Sequence, residues 1–178
     1  MYPSPLSPYA LHKLIAEQYA SLYTRLYGLE TVSLRFFNVF GPRQSPGSQY
    51  SGVISLFTAA LLEGRSPTIY GDGEQTRDFT YVSDVAEGIL LSLSTPEASG
   101  KVINLARGGR TSINSLYTML QRSAGVERAA IYKEPRTGDI RDSQADIRQA
   151  REVLGFEPGV TVEEGLRRTV EWQRAKGE

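Results

Sequence analysis

Leu11, Ile15, Leu22 and Leu26 recur at helical spacing between Ser7-Pro8 and Gly28, which predicts an amphipathic first helix with one buried stripe. Ser7 can cap its free backbone N–H groups, Pro8 suits the first helical position, and Gly28 offers a left-handed stop. Thr31-Val-Ser-Leu-Arg-Phe-Phe37 alternates before turning apolar, so it reads as a strand running inwards and ended by Gly41-Pro42. A helix followed directly by a strand is half of a βαβ unit. Beyond a polar loop over 43–50, Val53, Leu56, Phe57, Ala60 and Leu61 mark a second helix that Gly64 stops. Short strands are predicted at Thr68–Tyr70 and 78–82, joined through Gly71-Asp72-Gly73, whose residues tolerate positive φ. Ser83 or Asp84 is expected to cap a helix to about Ser94, and 101–106 reads as a strand. Ser112 opens a helix carrying Leu116 and Leu120, 129–132 is a strand candidate, and Asp146 caps a short helix ended by Gly155. Thr161-Val-Glu-Glu164 is a capping box at the start of the last helix.

Composition narrows the function classes. With 178 residues, 40% hydrophobic, the chain can bury a core but is too short for two full α/β domains. It has no cysteine and one histidine, which excludes disulfides and thiolate chemistry and leaves a metal almost nothing to bind; no metal site is expected. Lys+Arg and Asp+Glu both total 20, so no overall charge points to nucleic acid or an anionic membrane. No apolar run approaches the roughly 20 residues of a membrane span, and the first residues lack a signal-peptide pattern. A cytoplasmic protein without nucleic-acid or membrane partners is the expectation. No repeat or linker interrupts the pattern, which reads as one α/β unit.

A helix and strand at the start suggest the tail of a doubly wound sheet. In such sheets a dinucleotide sits on a glycine-rich turn after the first strand. No G-x-G-x-x-G occurs here, and Gly71-Asp-Gly73 and Gly108-Gly109 read as turns. Tyr9 and Lys13, four apart on the first helix, share a face. An ammonium one turn from a phenol favours the phenolate, as a general base needs. The same spacing also describes an ordinary surface pair.

Four motifs stand in order: Ser7-Pro-Tyr-Ala-Leu-His-Lys13, Arg35-Phe-Phe-Asn-Val-Phe-Gly-Pro-Arg-Gln44, Ile69-Tyr-Gly-Asp-Gly-Glu-Gln-Thr-Arg-Asp-Phe-Thr-Tyr-Val-Ser-Asp-Val-Ala86 and Arg136-Thr-Gly-Asp139. Together they resemble the NAD-dependent epimerase/dehydratase family of extended short-chain dehydrogenases, most closely its UDP-glucose and UDP-N-acetylglucosamine 4-epimerases. The resemblance covers essentially the whole chain but only the C-terminal part of the family's architecture. It implies an α/β fold in two parts: residues 1–45 as the end of a Rossmann-type parallel sheet, and 46–178 as a small mixed α/β domain that binds a nucleotide sugar.

The resemblance also implies roles. Tyr9 would be the catalytic base, and Lys13 would bond the nicotinamide ribose of NAD and assist Tyr9. Phe37 would lie against the nicotinamide. Asn38 would contact the diphosphate, Gly52 and Val53 would open the helix that meets the substrate, and Thr68, Ile69 and Tyr70 would flank the uracil. Arg77 would bind the diphosphate, and Arg136 with Asp139 would hold phosphate and ribose. Ser143 would stand where a small side chain admits an N-acetyl group. These residue types suit the ligand, since an Arg fork binds phosphate bidentately, a carboxylate accepts from hydroxyls and an aromatic stacks on a base. Taken singly, Arg77–Asp78 also reads as a surface ion pair and Arg136–Asp139 as a polar turn.

His12 stands where the family usually has a small residue, and reads as a solvated helix position. Met1-Tyr-Pro-Ser-Pro-Leu-Ser-Pro resembles the middle of a family loop, so a truncated product or fragment is expected, with NAD not bound by this chain alone. A UDP-sugar and a second copy of the chain, as homodimer or other homo-oligomer, are the expected partners. The expected activity is 4-epimerisation through transient oxidation at C4 by NAD. The alternatives are a silent nucleotide-sugar-binding or dimerisation module, or part of a related dehydratase or decarboxylase.

Overall fold

The Ser7 hydroxyl accepts from Ala10 N–H at 3.1 Å, Pro8 begins the helix, and Gly28 ends it in the left-handed region at φ 68°, giving α1 (Pro8–Tyr27). The computed structural model describes residues 3–44, 52–136 and 138–177; the polar loop expected over 43–50 lies outside them from residue 45 on. The strand predicted over 31–37 is an extended run interrupted at Phe37, β1 (Ser33–Phe36) and β2 (Asn38–Phe40). Helix α2 (Val53–Leu62), strand β3 (Thr68–Tyr70) and a tight turn lead to β4 (Thr76–Arg77) and β5 (Phe79–Tyr81). Helix α3 (Val82–Ser94), β6 (Val102–Leu105), β7 (Thr111–Ser112), α4 (Ile113–Ala124) and β8 (Ile131–Lys133) follow. The chain closes with α5 (Arg148–Leu154) and α6 (Val162–Gly177).

Three pairings are parallel: β1 with β6, β2 with β5 and β3 with β8. Among the described residues, β4 and β7 form the one antiparallel strand pair. The run 33–40 therefore pairs with β6 through its first half and β5 through its second, and α3 makes the crossover between those two partners. Parallel strands need such a connection because a tight turn cannot reverse the chain twice.

Two apolar clusters hold these elements. One gathers Phe40, Ile54, Phe57, Ile69, Phe79, Leu116, Leu120, Leu166 and Val170, with α2, α4 and α6 around β2, β3 and β5. The other packs Val85, Ile103, Leu105, Ala150, Leu154 and Phe156 against Val32, Leu34, Phe37 and Val39. Glycine allows two close approaches. A Cβ at Gly88 would stand 2.4 Å from Leu105 Cδ1, and one at Gly165 would stand 2.7 Å from the Phe40 ring, so α3 and α6 sit nearer the strands than alanine permits.

Local expectations fail in four places, the slightest at α5, whose cap is Ile147 with Asp146 one residue earlier accepting from Arg148 N–H at 3.0 Å. The stripe of Leu11, Ile15, Leu22 and Leu26 is not buried: these side chains are 45%, 42%, 37% and 62% exposed, because no element of the described chain lies over them. Helix α1 is held instead by the bidentate Glu17–Arg35 pair at 2.7 Å and by the Thr31 hydroxyl, which bonds Thr24 and Ala20 O. Neither Ser83 nor Asp84 caps α3, since the cap is Tyr81 and the Asp84 carboxylate accepts from Val160 N–H at 3.1 Å instead. The capping box of α6 is half made: the Thr161 hydroxyl accepts from Glu164 N–H at 3.2 Å, but the Glu164 carboxylate turns to Arg167 and Arg168. Two nearby guanidiniums attract a carboxylate more strongly than one neutral N–H.

Candidate functional site

An apolar floor of Phe40, Ile54, Phe57, Phe79 and Ile113 lies beneath a cavity of about 570 Å³. Phe37, between β1 and β2, and Asn38, the first residue of β2, reach its wall, and Gly52 and Val53 arrive at the N-terminus of α2. Strand β3 supplies Thr68, Ile69 and Tyr70, β4 supplies Arg77, and the stretch after β8 supplies Arg136, Gly138 and Asp139. Residues separated by about a hundred positions thus meet at one cavity, where the 138–142 segment crosses to β4. That is the size and make-up of a small-molecule site, with apolar walls and a few polar groups.

The crossing segment is latched to β4. Arg77 donates to Asp139 at 2.5 Å and to Ile140 O at 2.6 Å. The Thr76 hydroxyl donates to the Asp142 carboxylate at 2.7 Å, Arg110 pairs with the same carboxylate, and Arg141 holds Asp72 at 2.7 and 3.0 Å. The Arg141 guanidinium keeps the Asp72 carboxyl at about 2, below its ordinary value, assisted by the Glu74 N–H. Thr76 and Arg110 likewise lower Asp142.

Asp78 is wholly buried and makes no ion pair with Arg77. Its carboxylate accepts N–H groups from Arg107 at 3.2 Å, Gly108 at 2.9 Å and Ala145 at 3.1 Å, tying the end of β6 and the approach to α5 to β5. Burial pushes its pKa up, opposed by those N–H groups.

The Arg136 guanidinium lies 3.9 Å from the centre of the Tyr70 ring. Its hydrogen bond and its charge lower the pKa of the Tyr70 hydroxyl. Arg136 and Asp139 are joined through the backbone, Asp139 N–H to Arg136 O at 3.2 Å, while the Asp139 carboxylate faces Arg77.

Tyr9 and Lys13 stand elsewhere. Both are exposed on α1, with Lys13 Nζ 5.4 Å from the centre of the Tyr9 ring, and neither lines the cavity. His12 is exposed beside them. Ser143 also lies outside the lining, its backbone N–H donating to Thr76 O at 3.2 Å. The structure thus gathers Phe37, Asn38, Gly52, Val53, Thr68, Ile69, Tyr70, Arg77, Arg136 and Asp139 and leaves Tyr9, Lys13 and Ser143 apart.

Nine lining residues were not assigned from the sequence, and among them Gln44 and Gln75 carry the polar side chains. Both lie within the quoted motifs, but a glutamine carries no charge or spacing that signals a ligand. Among the described residues no group of three His, Cys, Asp or Glu could hold a metal, and no helix is long and apolar enough to cross a membrane.

A mixed α/β unit with parallel pairings and a cavity that carries Arg77 and Arg136 defines the class. The chain belongs to the NAD dependent epimerase/dehydratase family, whose model matches residues 1–106. It is 39% identical over 175 residues to the UDP-glucose 4-epimerase of Mycolicibacterium smegmatis, covering 98% of this chain and 55% of that one. The UDP-glucose 4-epimerase of Thermotoga maritima, solved with UDP-glucose, superimposes with a TM-score of 0.94 at 41% identity, covering 99% of this chain and 56% of that one. A UDP-glucuronic acid 4-epimerase of Bacillus cereus, solved with UDP-glucuronic acid and NAD, gives 0.87 at 32% identity, covering 99% and 55%. The chain spans about half the length of the curated relatives it matches. The α/β fold expected from the sequence, that of the C-terminal part of an extended short-chain dehydrogenase, is the one found.

Proposed function

We propose that this chain is the substrate-holding part of a UDP-sugar 4-epimerase. The carrying observation is the single cavity that unites Asn38, Tyr70, Arg77, Arg136 and Asp139 from three strands and one turn. Arg77 and Arg136 donate to the diphosphate, whose two charges suit two guanidiniums. Asn38 and the first amides of α2, behind Gly52 and Val53, add donors beside them. Asp139 accepts from ribose hydroxyls, and the base lies along Thr68, Ile69 and Tyr70. Ligand binding therefore redirects two arrangements of the free site, the Arg77–Asp139 pair and the Arg136–Tyr70 stack.

At the sugar end Tyr9 takes the proton of the C4 hydroxyl, with Lys13 supporting its phenolate. Ser143, small at its position, leaves room for an N-acetyl group. Tyr9, Lys13 and Phe37 fit the nicotinamide end of NAD, while the 178 residues hold no glycine-rich cradle for its diphosphate. NAD held there would supply the hydride chemistry, reversible oxidation of the sugar at its C4 carbon. The protein's contribution is placement of the sugar.

A second reading, an assembly module without turnover, is favoured by the uncovered apolar face of α1, which would pack against a second copy. Calorimetric titration with UDP, UDP-glucose, UDP-N-acetylglucosamine and NAD, with light scattering on the same sample, tests both. UDP ligands binding without NAD supports the substrate-holding part. No UDP binding by a stable dimer favours the assembly reading.

A further inference from the structure

Neither cation of the cavity stands open. Arg136 lies 3.9 Å from the centre of the Tyr70 ring, and Arg77 is engaged at both ends of its guanidinium. Nη1 of Arg77 donates to Thr76 O at 2.8 Å and to Ile140 O at 2.6 Å, while Nη2 pairs with the Asp139 carboxylate at 2.5 Å. The pair is partly sheltered, with the Arg77 side chain 17% exposed and that of Asp139 38%, and both residues line the cavity. Backbone oxygens hold Nη1, so an exchange of partner falls on Nη2. An anion that reaches Arg77 therefore competes with a carboxylate already in place. Displacing it leaves a negative charge unpaired beside the incoming ones, and sheltered charges are poorly screened. The exchange loses nothing when the incoming molecule also brings hydroxyl groups, because an ionised carboxylate only accepts and its bonds from donors are charge-assisted.

We propose that the Arg77–Asp139 pair is a filter that admits nucleoside diphosphates and turns away free inorganic anions. In the free site the Asp139 carboxylate holds the place on Arg77 that a diphosphate takes. A nucleoside diphosphate replaces it on Arg77 and offers its ribose hydroxyls to the released carboxylate. Inorganic pyrophosphate supplies the anion without the hydroxyls and leaves Asp139 unpaired, so the discrimination lies in what the wrong ligand strands. This rests on the nucleotide-sugar reading above and adds to it the means by which that site rejects free anions.

The test measures Kd for inorganic pyrophosphate, UDP and 2′,3′-dideoxy-UDP by calorimetry on the whole chain, on Asp139→Ala and on Glu134→Gln. Glu134 is exposed and outside the cavity lining, so its variant removes one negative charge from the same stretch without touching Arg77. Asp139→Ala binds pyrophosphate about 3- to 30-fold more tightly than the unaltered chain, the ratio expected for one partly sheltered ion pair that no longer has to be broken. Glu134→Gln stays within about twofold. The unaltered chain prefers UDP to its dideoxy analogue by about tenfold or more, and in Asp139→Ala that preference falls to within about threefold. Should Asp139→Ala not fold, Asp139→Asn, which keeps the size, shows the same gain for pyrophosphate. Pyrophosphate affinity that fails to rise on loss of the Asp139 charge, an equal rise in Glu134→Gln, or equal affinity of the unaltered chain for UDP and dideoxy-UDP overturns the filter while UDP binding leaves the nucleotide-sugar reading intact. Absence of UDP binding overturns that reading and this one with it.

Discussion

Helices α4 and α1 are both amphipathic, yet α4 buries Ile113, Leu116, Tyr117, Leu120 and Ala124 while α1 buries none of its residues. Both are capped well: Ser112 accepts from Ser115 N–H and Gly125 ends α4 at φ 61°, as Ser7 and Gly28 frame α1. The difference is in what surrounds them. Helix α4 lies between α2 and α6 over the cavity floor, so its apolar face is covered within the chain. Helix α1 is tied to β1 by the Glu17–Arg35 pair and to the stretch before it by the Thr24–Thr31 contact, and leaves Tyr19, Tyr23 and Tyr27 in an exposed ladder of edge contacts. An amphipathic pattern states that a face repays covering; it does not state which element covers it.

Emptying the core has the largest effect. Phe156→Ala, at a wholly buried ring, lowers the unfolding free energy by about 3–5 kcal/mol in urea titration, whereas Leu26→Ala on α1 stays within about 0.5 kcal/mol. Asp78→Asn comes next. The new amide sets an N–H against the N–H groups that the carboxylate now accepts, and the loss is about 1–3 kcal/mol in the same assay. At the cavity, Arg77→Ala weakens UDP-glucose binding by about 10- to 100-fold by calorimetry. Tyr9→Phe, on the exposed helix, leaves that Kd within about threefold.

The smallest effect is acidic. Asp72 has a folded pKa of about 2 against an ordinary 3.8, so its pair with Arg141 contributes fully above about pH 4 and is lost as pH falls through about 2. Asp78 has the opposite sign: its raised folded pKa means stability declines as pH rises from the unfolded value through the folded one. Melting midpoints followed from about pH 6 to about pH 2 show a smaller acid decline for Asp72→Asn than for the unaltered chain.

Ten residues that the motif resemblance assigned to ligand or cofactor line one cavity, and the caps of α1 and α4 were readable residue by residue. The antiparallel β4–β7 pair was not, since two strands of two residues leave no periodicity to detect. Nor was the partner of Arg77. Sequence adjacency offered Asp78, but Asp78 points into the interior towards backbone N–H groups and Asp139 arrives from 62 positions away. Gln75 was legible as a polar residue in a motif and illegible as part of the cavity wall.

Sequence alone carried what is local: the starts and stops of α1 and α4, the turn at Gly71–Gly73, and the residue types suited to a diphosphate and a base. Tertiary structure decided which of those residues meet, which carboxylate is buried, and which amphipathic face finds cover. Caps, turns and side-chain chemistry depend on neighbours a few positions apart. Pairing and burial depend on groups that only the folded chain brings within a few ångströms.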